Sequence, residues 1–79
     1  MSDPILAAIR RNVLELLPDV EPELVTEDRS LTDLGCNSID RAEVVSMTME
    51  DLGVSVPVRE FADVHDIGAL AAVLRKHAP

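Results

Sequence analysis

Apolar residues fall at helical spacing in three stretches of the chain and lose that spacing between them. Ile5, Ile9, Val13 and Leu16 recur along one face, with Leu6 and Leu17 widening the stripe and Arg10, Arg11, Asn12 and Glu15 mostly off it. This predicts a first helix opening at Ser2-Asp3-Pro4, where Ser2 or Asp3 caps and proline suits the first helical position. Pro18 ends it, because a proline restricts the residue before it. From Asp19 to Asn37 no period is sustained. That is long for a connection in a compact domain. It is expected to hold a short helical turn, to expose Glu21, Glu23, Glu27, Asp28 and Arg29, and to dip into the core at Leu24-Val25. Leu31 and Leu34 are its expected anchors.

The second stretch predicts a helix from Ser38 to about Leu52. Ala42, Val45, Met49 and Leu52 form its apolar line, with Val44 and Thr48 beside it. Ile39, Glu43, Ser46, Met47 and Glu50 lie elsewhere on the wheel. Gly53 stands where a left-handed C-terminal residue belongs. Val54-Ser55-Val56-Pro57-Val58 alternates, but a lone strand has no partner and Pro57 removes a donor. An extended loop packed through its valines is expected there. Arg59 to Asp63 is expected to make a single packed turn anchored by Phe61. Asp66 then caps a last helix carrying Ile67, Leu70, Ala71 and Leu74, with Arg75, Lys76 and His77 at its dipole-favoured end. The predicted fold is all-α: a small bundle of three longer helices and one short helix, in one domain spanning residues 1–79.

Chemistry concentrates where the irregular segment meets the second helix. Asn37 is a good N-cap, and Asp40 can reach back to its N–H, a short-armed capping box. Ser38 is then the first helical residue, beside the positive end of the dipole. Gly35 lets the preceding backbone turn sharply. A hydroxyl so placed suits attachment of a phosphate, which helix N-termini favour.

Composition narrows the function classes. Seventy-nine residues bury a thin core with little room for a deep active site. Phe61 is the single aromatic, so the core is aliphatic. Cys36 is the single cysteine, which rules out an internal disulfide and reads as a small packing residue. With His65 and His77 it is too scattered to argue a metal site. His65 reads as surface or loop packing, not as part of a catalytic triad. The net charge of −8 argues against nucleic acid and favours basic protein partners. No apolar run is long enough to span a membrane, and no signal-peptide pattern opens the chain, so a cytoplasmic monomer is expected.

Gly35-Cys36-Asn37-Ser38-Ile39 resembles the attachment motif of the acyl carrier protein family, usually Gly-x-Asp-Ser-Leu. Asn replaces Asp and Ile replaces Leu, and Asn37 still caps. Ser30-Leu31-Thr32-Asp33-Leu34-Gly35 fits the family's approach to the serine, and the helix order matches across nearly the whole chain. The resemblance implies that Ser38 carries 4′-phosphopantetheine, flanked by Asn37 and Gly35. It implies no catalysis by the chain itself. It makes the second helix the recognition helix, with Ile39, Arg41, Ala42, Glu43, Ser46, Met47 and Glu50 as expected partner contacts.

Leu34 to Val45, followed by Met47-Thr48-Met49-Glu50, looks like one subgroup, the freestanding donor carriers of polyketide β-branching cassettes. His65-Asp66-Ile67-Gly68 is similar too. This implies service by a phosphopantetheinyl transferase and an acyltransferase. It also implies decarboxylation of a malonyl cargo to acetyl by a ketosynthase-like enzyme, then hand-over to an HMG-CoA-synthase-like enzyme. A fatty-acid or peptidyl carrier stays open within the family, and a small acidic helical interaction protein outside it.

Overall fold

The computed structural model describes residues 3–78. Three helices make the body: α1, Pro4–Leu16; α2, Ser38–Leu52; and α3, Ile67–His77. Two 3-10 turns, Pro22–Leu24 and Val58–Phe61, punctuate the connections. The all-α bundle expected from the periodicity is therefore present, with a short turn in each of the two connections where one was expected. Ser2 lies outside the described residues, and the α1 cap is Asp3, whose Oδ1 accepts from the Ile5 and Leu6 N–H groups.

α1 packs against both α2 and α3, and α3 against the second 3-10 turn. Ile9, Val13, Val25, Val44, Ile67, Leu70 and Leu74 are sealed from solvent at their centre. Each such side chain contributes about 1.5–3 kcal/mol of burial. Leu31 and Leu34 are buried as expected. Of the pair Leu24-Val25, only Val25 is buried.

Three details depart from the periodicity reading. Asn12, expected off the core stripe, is buried with Ala8 on α1. On α2 the buried residues are Val44 and Thr48, while Val45, Met49 and Leu52 are only partly buried and Ala42 is exposed. The reason is the crossing of α1, which meets α2 on its Val44–Thr48 side. Val58, expected to pack, is 87% exposed, because Pro57 breaks the extended alternation and starts a 3-10 turn. Val56 alone of those three valines is buried, and Val54 is partly so.

The long first connection is tied to the head of α3. The Ile67 N–H donates to the Arg29 carbonyl at 2.8 Å and the Gly68 N–H to the Glu27 carbonyl at 2.9 Å. These satisfy two N–H groups that a helix start leaves without intrahelical partners. A Cβ on Gly68 would stand 3.1 Å from the Glu27 carbonyl oxygen, so the approach depends on glycine.

Candidate functional site

The approach to Ser38 is a stack of tight turns. The Ser30 N–H donates to Asp33 Oδ2 at 3.1 Å, and the Asp33 N–H donates to Ser30 Oγ at 2.9 Å. The Cys36 N–H reaches the Leu31 carbonyl at 3.0 Å. Buried Leu31, Leu34 and Cys36 hold this stack on the core. Gly35 has φ +103°, a conformation that favours glycine, and it reverses the chain into α2. Its role is conformational: an added Cβ would meet nothing nearer than Leu17 Cδ1 at 4.0 Å.

The expected capping box is formed. The Asp40 N–H donates to Asn37 Oδ1 at 2.8 Å, and the Asn37 N–H donates to Asp40 Oδ2 at 3.2 Å. Ser38 follows as the first residue of α2 and is exposed. Its N–H and that of Ile39 fall among those without intrahelical acceptors. An exposed hydroxyl at a positive helix end fits a phosphodiester. Cys36, two residues away, is a poor competitor. Burial pushes its thiol pKa up, Asp40 adding to this and Arg41 opposing it.

Steps of about 100° per residue divide the surface of α2 into three stripes. Val44 and Thr48 face α1. Ile39, Glu43, Met47 and Glu50 lie on one side of that contact. Ile39 is 71% exposed, Glu43 and Glu50 are exposed, and Met47 is partly so. On the other side Arg41, Ala42, Val45, Ser46 and Met49 line a cavity of about 590 Å³. Leu31, Val58, Phe61, Val64 and Leu70 complete its apolar wall, and Ser30, Thr32, His65 and Asp66 add polar groups. The expected contact residues thus separate: Arg41, Ala42 and Ser46 belong to the cavity, and the others to an open acidic face.

The periodicity reading missed this cavity because Val45 and Met49 looked like core. They line the space between α2, the second 3-10 turn and the first turn of α3. His65 is exposed at the cavity edge, in keeping with a surface or loop role. Among the described residues no group of three His, Cys, Asp or Glu is placed to hold a metal ion. No helix there is long and apolar enough to cross a membrane.

Comparison with known proteins bears on the same serine-bearing stretch. The family model described as the phosphopantetheine attachment site matches residues 7–74. The chain is 37% identical over 70 residues to the polyketide biosynthesis acyl-carrier-protein AcpK of Bacillus subtilis, covering 89% of this chain and 85% of that one. It is 38% identical over 69 residues to an acyl carrier protein of Caulobacter vibrioides, covering 86% of each. An acyl carrier protein of Phenylobacterium zucineum is 36% identical over 69 residues, covering 86% of this chain and 85% of its own. No solved structure gives a significant match.

Proposed function

Because this chain belongs to the acyl carrier protein family, we propose that Ser38 is its attachment residue and that its cargo is a malonyl or acetyl unit for polyketide β-branching. It is a carrier and not an enzyme, and its prosthetic group is 4′-phosphopantetheine. Its partners include a phosphopantetheinyl transferase and acyltransferase- or synthase-type enzymes. When bound, the group supplies a thiol that carries acyl groups as reactive thioesters.

The observation that carries the choice of Ser38 is its exposure at the first position of a box-capped helix. Asn37 and Asp40 fix that helix start by bonding each other's backbone. Gly35 turns the chain so that the serine projects from the surface. The α2 N–H groups favour the negative charge that the phosphodiester brings. A long arm then lets one cargo reach several active sites at high effective concentration.

The β-branching role rests on the runs Leu34 to Val45 and Met47 to Glu50, on His65-Asp66-Ile67-Gly68, and on the likeness to a polyketide carrier. In that role a ketosynthase-like enzyme decarboxylates the malonyl cargo and an HMG-CoA-synthase-like enzyme accepts the acetyl group, in the cytoplasm. Incubation with a transferase, coenzyme A and Mg²⁺ should add one arm to Ser38 and none to Ser38→Ala, read by intact mass. An arm on Ser30 or Ser46 overturns the assignment. Acetyl transfer to an HMG-CoA-synthase-like enzyme tests the finer role, and its absence with a fully loaded carrier removes it.

A further inference from the structure

Ser38 heads the α2 stripe that walls the cavity. Arg41, Ala42, Val45 and Met49 follow it on one helical face, and all four line that space. At a rise of about 1.5 Å per residue, Arg41 lies roughly 5 Å along the axis from the serine and Met49 roughly 17 Å. Whatever Ser38 carries therefore starts from the end of the stripe that lines the cavity, one turn before Arg41.

The lining is not uniform. Leu31 and Leu70 are buried in the wall, whereas Arg41 and Thr32 are exposed and Ser30 is half-buried. Arg41 donates through Nη1 to Thr32 Oγ1 at 3.2 Å. Ser30 Oγ accepts from the Asp33 N–H. A hydroxyl oxygen that accepts still has its own O–H to donate, and a guanidinium has five N–H donors. Arg41 forms no salt bridge among the described residues. It is also the only Lys or Arg among the described residues of the lining. Asp66, also in the lining, caps α3 by accepting the Ala69 N–H at 2.7 Å and forms no salt bridge with Arg41. Asp40, next to Arg41 in sequence, accepts the Asn37 N–H and likewise makes no salt bridge with Arg41. A guanidinium with two free hydroxyl hydrogens over an apolar wall is a donor set for a carboxylate.

We propose that Arg41, Thr32 and Ser30 hold the terminal carboxylate of a short dicarboxylic acyl cargo at the cavity mouth, so that the chain distinguishes carboxylated cargo from cargo lacking that group. This rests on Ser38 as the attachment residue. A carboxylate resists entering the apolar wall, so it stops at the rim, where charge-assisted hydrogen bonds are available. An acetyl cargo offers the rim no charge and stays loose.

The test uses 15N-labelled protein carrying non-hydrolysable amide analogues of malonyl and acetyl cargo, with the attachment residue mapped by mass. The malonyl analogue should shift the Arg41 Nε and Thr32 amide resonances, and the acetyl analogue should leave them near their positions with the bare arm. Read at the Thr32 amide, which every variant keeps, Arg41→Gln should abolish the difference, Arg41→Lys should keep part of it, and 0.5 M salt should shrink it in the wild type. Equal shifts for both cargoes, with the arm on Ser38, overturn the carboxylate rim alone. An arm mapped to another residue overturns this proposal together with the assignment of Ser38.

Discussion

Asn12 Nδ2 donates to Thr48 Oγ1 at 2.9 Å across the α1–α2 interface, and both residues are buried. Thr48 passes its own O–H to the Val44 carbonyl at 2.6 Å. Asn12 also donates to Asp51 Oδ2 at 3.0 Å, and Arg11 to the same oxygen at 3.1 Å. The polar chain sets the register of the helix that bears the serine against the helix beneath it.

Thr48→Val keeps the shape and removes the hydroxyl. It should cost about 1–2 kcal/mol, because a buried hydrogen bond is lost and Asn12 keeps one partner fewer. Asn12→Ala should cost about 1–3 kcal/mol. The double variant should lose less than the sum, by roughly 0.5–1 kcal/mol, since both remove one shared bond. Urea unfolding of the four proteins checks this, and strict additivity would deny the pair any coupling.

What the sequence could and could not reveal follows from the range of each interaction. The capping box, Gly53 at φ +66° and the Asp66 cap are local, and each was legible from residues within three or four positions. Asn12 was not, because its burial is decided by Thr48 and Asp51, 36 and 39 residues away. The face that α2 buries was equally hidden. Both the Val44 and Val45 sides are apolar enough, and only the crossing of α1 chooses between them. The cavity follows from that choice. So does the separation of Arg41, Ala42 and Ser46 from Ile39, Glu43 and Glu50.

Acid should loosen the same interface. Hydrogen bonds from Asn12 and Arg11 hold the Asp51 carboxyl below its ordinary value of 3.8. A lowered folded-state pKa gives stability that is present above the unfolded value and lost as pH falls through the folded one. Asp51→Asn keeps an acceptor and removes the charge. The wild type should therefore melt above Asp51→Asn at pH 7, and the gap should close as pH falls below 3.8. A gap unchanged at pH 2.5 would show that the charge plays no part.

Salt should raise stability near neutrality. The chain carries a net charge of −8, and exposed carboxylates repel over about 10 Å at 0.1 M ionic strength. The melting temperature should rise between 0.02 and 0.5 M NaCl. Divalent cations should raise it at lower concentration. A flat response under both would mean that repulsion does not limit the fold.

Asn37→Ala removes the Oδ1 acceptor of the Asp40 N–H and breaks the capping box. The expected loss is about 1 kcal/mol. Hydrogen exchange should rise at Asp40 and Arg41 without rising in α3. Slower arm transfer at saturating coenzyme A should accompany it, because the serine is presented by the turn that frays. Unchanged exchange at Asp40 would show that the box is not what holds the turn.

The open acidic face of α2 carries the last prediction. Ile39 is 71% exposed one residue beyond the serine, with Glu43 and Glu50 exposed along the same side. Exposing a large aliphatic costs free energy in the unbound carrier, which a partner's pocket recovers on docking. In such a contact the two exposed acids would sit at the edge and stay hydrated. Rim charges chiefly set encounter rate and salt dependence, while a buried anchor chiefly sets dissociation. Glu43→Lys and Glu50→Lys should therefore slow association with a synthase-type partner and flatten its dependence on salt. Ile39→Ala should leave association nearly unchanged and speed dissociation about tenfold, the effect of roughly 1.4 kcal/mol. Stopped-flow kinetics on arm-loaded protein measures both rates, with circular dichroism confirming that each variant is folded. Wild-type rates in all three folded variants would move the docking face off this side of α2 and leave its acids as a solvated surface.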